Sequence, residues 1–241
     1  LCSYFNTLPA GFVWDDYFFI INNPYMQSFR YLPEFFVKDF CQINKIKIIS
    51  YYYRPLLALS FMVNYSLWGE DPFGYHLVNL IFHTLVSIMI FILVDKLIKN
   101  RVIAFMSALL FAVHPVHTEA VSFISNITYV SSGFLFMSCL IFFLRYSQDN
   151  SRTSYLFSLI CFFAALLIIE ISITLPLVVF CIDYVFVSNY SLKKTIRNIF
   201  GKFSGFWAVS VLYLIIRFYT VGWDFIREAG NIGTNFLPGD S

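Results

Sequence analysis

Residues 75–97 read YHLVNLIFHTLVSIMIFILVDKL, with no Asp, Glu, Lys or Arg before Asp95. A charge-free run of this kind supplies the ~20 residues that a helix needs to cross a hydrocarbon core of ~30 Å. Further apolar blocks follow at roughly 102–124, 130–146, 154–187 and 203–219. The block 154–187 is too long for a single crossing. Glu170 lies at its middle and Pro176 beyond it, so it divides into 154–169 and 171–187. The whole chain is 59% hydrophobic and only 12% charged. A soluble domain carries about 25% charged residues, so there are too few here to cover a water-facing surface. The expected fold is all-α: a polytopic bundle of about six transmembrane helices within 75–219. An exterior loop covers 1–74, and 220–241 begin another.

Two stretches of the first loop are apolar but too short to span. Between Phe29 and Cys41, Phe35, Phe36 and Phe40 are expected to face lipid, with Arg30 and Lys38 in water and Pro33 in the first turn. That pattern predicts an in-plane amphipathic helix. Leu56 to Trp68, interrupted by Asn64, is expected to lie against the membrane surface.

The basic residues set the orientation. Lys96, Lys99 and Arg101 follow the first span, Arg145 and Arg152 the third, and Lys193, Lys194, Arg197 and Lys202 the fifth. These loops alternate, and the bias of Lys and Arg toward the cytoplasm places them there. The opposite face then collects Asp15, Asp16, Arg54, His76, His114, His117, Glu119, Glu170 and Arg217. A net charge of +2 offers no nucleic-acid footprint; the expected surroundings are membrane lipid.

Several groups on that face have the residue types of a site. Asp15 and Asp16 are adjacent carboxylates in an apolar setting after Phe12 and Trp14, suited to a base and an orienting partner, or to a turn or cap. His76, Asn79, His83 and Ser87 form one stripe on one helix. In lipid such a stripe must face protein or a wet cavity, through interhelix hydrogen bonds or a ligand. His114-Pro-Val-His117-Thr-Glu119 closes a span. Pro115 favours a helix start there and His114 a cap; a metal or an anion are the ligand alternatives. Arg217, near a boundary, either snorkels or holds a phosphate, whose geometry guanidinium matches.

The runs Trp14-Asp-Asp, Tyr53-Arg-Pro-Leu56, Leu67-Trp-Gly69, Gly74-Tyr-His-Leu-Val-Asn-Leu80 and Leu110-Phe-Ala-Val-His-Pro-Val-His-Thr-Glu-Ala-Val121 continue with Thr174-Leu-Pro176, Asp183-Tyr184 and the Tyr213 to Arg217 end. Together they resemble the transmembrane-and-tetratricopeptide-repeat proteins, whose membrane half is similar to protein O-mannosyltransferases of the GT-C fold. The resemblance implies an inverting glycosyltransferase, metal-independent or weakly metal-dependent, that needs no cofactor. Its donor is a sugar, mannose, on a polyprenyl or dolichyl phosphate, and its acceptor a Ser or Thr hydroxyl of a protein. It implies Asp15 as the base with Asp16 beside it. Arg217, Arg54, His114, His117, Glu119, His76, Asn79 and Glu170 are then candidates for donor-phosphate or acceptor binding. It also implies a first span before Leu1, and later spans and helical repeats after Ser241. The membrane would be the plasma membrane in a prokaryote and the endoplasmic reticulum in a eukaryote. The chain departs from the family at Asn126-Ile-Thr-Tyr129, where relatives carry Arg and Asp, and at Ile169, where they often carry Lys. A non-catalytic membrane scaffold displaying repeats is therefore the alternative expectation. A transporter would show polar groups at midplane and broken helices in two matching halves. Here the polar groups gather at one face.

Overall fold

The computed structural model describes residues 2–38, 52–191, 193, 195 and 201–222. Among the described residues seven helices form the bundle: α1 (Pro55–Trp68), α2 (Pro72–Ile98), α3 (Arg101–Val113), α4 (Ile127–Asp149), α5 (Arg152–Leu166), α6 (Leu175–Ile182) and α7 (Ser204–Arg217). The protein is an integral membrane protein with an all-α polytopic fold. Among the described residues four helical stretches are long and apolar enough to cross a membrane: Pro72–Ile98, Ile124–Asp149, Glu170–Val187 and Ser204–Gly222. A fifth counts if Arg101–Val113 and Pro115–Ser122, bent by 47°, make one crossing. The remaining expected span, α5, has 15 residues and reaches only ~22 Å.

Local sequence explains where these helices start and stop. Asp71 caps α2 by accepting from the Phe73 amide, and Pro72 occupies the first turn. Lys99 then turns left-handed (φ 56°), and Asn100 caps α3 through the Val102 and Ile103 amides. The α4–α5 turn repeats the device, with Asn150 at φ 52° and Ser151 capping through the Ser154 amide. A residue before proline is driven extended, so α3 stops at Val113, ahead of His114-Pro115, and not at 124.

Packing runs α3–α2–α4–α5–α7, each helix against the next, with α1 against α2 and α4. The α4–α5 seam uses a small polar residue: Ser158 Oγ donates to the Cys139 carbonyl at 2.9 Å. A Cβ on Gly74 would overlap the Trp68 ring, so α1 and α2 approach closely only because that residue is glycine. A lower core gathers Phe143, Phe162, Phe206 and Tyr213.

The upper core corrects two expectations about the first loop. It joins Tyr4, Ile20, Met26 and Phe35 to Leu57, Phe61, Tyr75 and Ile124. Phe35 is thus buried in protein and does not face lipid; the described part of the expected amphipathic helix is a 3-10 turn, Phe29–Tyr31, running into one α-helical turn, Leu32–Phe35, with Pro33 in its first turn as expected. Phe40 and Cys41 lie outside the described residues. Leu56–Trp68 does not merely rest on the membrane surface: α1 buries Leu57, Ala58, Phe61, Met62 and Asn64 inside the bundle.

Candidate active site

The polar residues collect at one end of the bundle because long-range hydrogen bonds tie the segments together there. Tyr4 Oη donates to the His114 carbonyl at 2.6 Å. Asn79 Nδ2 donates to the Phe123 carbonyl at 2.8 Å. The Ser125 amide donates to Asp16 Oδ1 at 2.9 Å. Arg54 Nη2 donates to Glu170 Oε2 at 2.9 Å.

The two adjacent carboxylates separate completely. Asp16 is fully buried, and its second oxygen accepts from the Val13 amide at 3.0 Å. It fastens the loop to the turn that opens α4. Trp14 immediately before the pair has φ 46°, a left-handed conformation unusual for a large side chain, and Asp15 and Asp16 follow in a helical turn, where consecutive side chains point apart. Asp15 is exposed and lines a cavity of about 180 Å3.

That cavity has an apolar side from Phe19, Leu57 and Phe61 and a polar side from Ser125, Asn126, Thr128 and Tyr129. Its charges are Asp15 and Arg54, and Tyr52 completes it. Arg54 lies over the Tyr52 ring, 4.1 Å from the centroid. Its guanidinium grips Glu170 by one edge, Nε at 3.2 Å and Nη2 at 2.9 Å from Oε2. Arg217 Nη2 stands 4.0 Å from the other oxygen, Oε1. Arg217 is therefore on the far side of Glu170 and is not among the cavity's lining residues. Burial pushes the neighbouring Tyr53 phenol up, so it stays protonated and donates to the Phe36 carbonyl.

The histidines and Asn79 sit differently. His114 is exposed, and its Nδ1 accepts from the Val116 amide, the expected cap. His117 packs on Phe111, with ring centroids 4.2 Å apart, while Glu119 is exposed. Among the described residues no three His, Cys, Asp or Glu side chains gather as a metal site would. His76, Asn79, His83 and Ser87 are all buried. Asn79 binds the turn after Val121, and His83 Nε2 lies 3.2 Å from the Ala112 carbonyl, so these two members of the stripe join segments, while Ser87 donates to the His83 carbonyl of its own helix.

Sequence reasoning missed Tyr52 and the Ser125–Tyr129 wall. Asn126-Ile-Thr128 reads as a glycosylation sequon, but Asn126 Nδ2 donates to the Glu119 carbonyl and Thr128 is buried with its hydroxyl on the Ser125 carbonyl. The signal available was their position just before a span, facing the same side as Asp15.

Comparison with known proteins gives several relatives. Human Protein O-mannosyl-transferase TMTC1 is 40% identical over 153 residues, 62% of this chain and 17% of that protein. Drosophila melanogaster Protein O-mannosyl-transferase Tmtc1 is 34% identical over 172 residues, 71% of this chain and 20% of that protein. Human Protein O-mannosyl-transferase TMTC3 is 39% identical over 153 residues, 61% of this chain and 16% of that protein. The matched region thus spans about a fifth or less of the length of these curated relatives. No protein-family model and no solved structure matches the chain.

Proposed function

We propose, on the premise that this chain belongs to the transmembrane-and-tetratricopeptide-repeat family of membrane proteins, that it forms the base-bearing part of a protein O-mannosyltransferase. The donor is a mannose on a polyprenyl or dolichyl phosphate, and the acceptor is a Ser or Thr hydroxyl of a protein. The reaction is a single inverting displacement. Asp15 takes the proton from the acceptor hydroxyl as its oxygen bonds to the anomeric carbon. The bond from that carbon to the phosphate oxygen breaks, and the lipid phosphate leaves with the electron pair. No metal or cofactor enters this step.

One observation carries the reading: of two adjacent carboxylates, the one that is exposed lines a cavity with a guanidinium, and the other is consumed in backbone hydrogen bonds. A general base needs access to the proton it abstracts, and the developing charge on a leaving phosphate needs a cation. The names of the relatives support the reaction class. The cavity's place at the end of the bundle suits a donor whose tail stays in lipid while its phosphate lies at the boundary. In this reading the cavity end is exterior and the end carrying Lys96, Lys99, Arg101 and Arg152 is cytoplasmic.

The test is transfer by the full-length protein in nanodiscs, from polyprenyl phosphate mannose to a Ser/Thr-rich peptide. Product carrying mannose on a hydroxyl is expected. Absence of both transfer and donor binding would leave the scaffold reading in its place.

A further inference from the structure

The Arg54–Glu170 contact looks like an ordinary buried ion pair, with both side chains about one-fifth exposed. Three features set it apart. The first is which donors are used. A guanidinium carries five N–H donors in a fixed fork. Glu170 engages only the Nε and Nη2 edge, and the Nη1 end makes no hydrogen bond among the described residues. The second is constraint. Tyr52 covers one face of the guanidinium, and Arg217 stands at the other oxygen of Glu170, so the carboxylate has a cation on each oxygen. The third is location. Arg54 lines the cavity with Asp15, whereas Glu170 and Arg217 do not.

We infer that Glu170 is a positioning residue: it clamps the Nε–Nη2 edge of Arg54 and thereby reserves the Nη1 end for an anionic oxygen of a ligand in the Asp15 cavity. This rests on the reading above, and the ligand is then the phosphodiester of the donor. The assignment gives the phosphate contact to Arg54 and not to Arg217, the other arginine among the sequence candidates. It gives Glu170 a role through Arg54, with no contact to substrate of its own. It also accounts for a carboxylate beside a phosphate site, where like charge would otherwise repel the ligand.

The experiment uses the full-length protein in nanodiscs and measures binding of polyprenyl phosphate mannose alongside thermal unfolding. Glu170→Gln, which keeps the shape and loses the charged acceptor, is expected to weaken donor binding roughly tenfold, as for loss of an oriented charge-assisted contact. Glu170→Asp, which withdraws the carboxylate by one methylene, should fall between that variant and wild type. The decisive variant is Arg54→Lys, which keeps the charge and an ion pair with Glu170 but has no second donor end to present. It should keep most of the wild-type unfolding temperature and bind donor as weakly as Glu170→Gln. Wild-type donor binding by Arg54→Lys would show that a point charge suffices and overturn the inference. So would unchanged binding in Glu170→Gln, or failure of all three variants to fold. Absence of donor binding in the wild type is a separate result: it removes the transferase reading on which the inference rests.

Discussion

Asp15 and Asp16 are consecutive in the chain and opposite in environment: Asp16 is fully buried beneath two backbone amides, and Asp15 is exposed at a cavity wall. The separation assigns different consequences to the same substitution at neighbouring positions.

Asp16→Ala leaves the Val13 and Ser125 amides without their acceptor. Hydrogen bonds to a charged group contribute about 1.5–3 kcal/mol each, and the loop is pinned by two. The expected outcome is a lower unfolding temperature and easier proteolysis between residues 5 and 30, with Asp16→Asn milder because it keeps one acceptor oxygen. Limited proteolysis of the full-length protein in detergent checks this. Unchanged protection in Asp16→Ala would detach Asp16 from the loop's anchoring.

Asn79 acts between helices. Its Nδ2 reaches the Phe123 carbonyl at 2.8 Å, and the side chain is fully buried. Asn79→Leu removes the donor and strands a carbonyl, a loss of about 1–3 kcal/mol. The turn at 123–126 carries Ser125 and Asn126 of the cavity's polar wall, so donor binding should weaken along with thermal stability. Wild-type behaviour on both measures would show that the turn is held without this contact.

Orientation has its own test. Asn150 sits in the α4–α5 turn, at the end opposite the cavity and flanked by Arg145 and Arg152. In a full-length protein freed of other accessible thiols, Asn150→Cys should react with a membrane-impermeant thiol reagent only after permeabilisation. Labelling in intact cells would reverse the orientation and put the cavity in the cytoplasm.

Much of the fold was legible because lipid imposes a length and a charge rule: the uncharged run from Tyr75 to Val94 could be little else than a span. The break near Glu170 followed from the same rule, and the capping residues Asp71, Asn100 and Ser151 mark helix starts by type. Other features were hidden by distance along the chain. Arg54 and Glu170 are 116 positions apart, and Asp16 and Ser125 are 109 apart. Nothing local tells which of two adjacent aspartates will be buried. Phe35 misled for a different reason: an amphipathic turn in a membrane protein has two apolar environments available, lipid and protein core, and periodicity does not distinguish them. Arg217 drew notice as a boundary cation, but only the folded chain sets Glu170 between it and the cavity.

The most direct test of the account is the rate of mannose transfer by full-length Asp15→Asn against wild type, at matched folding and matched binding of the polyprenyl phosphate donor. Asparagine preserves shape and hydrogen bonding but does not accept the proton of the acceptor hydroxyl. The account predicts that kcat falls by about 10²–10⁴ while donor affinity is retained. Transfer by Asp15→Asn at the wild-type rate would contradict it, because the exposed carboxylate of the pair would then have no part in the reaction.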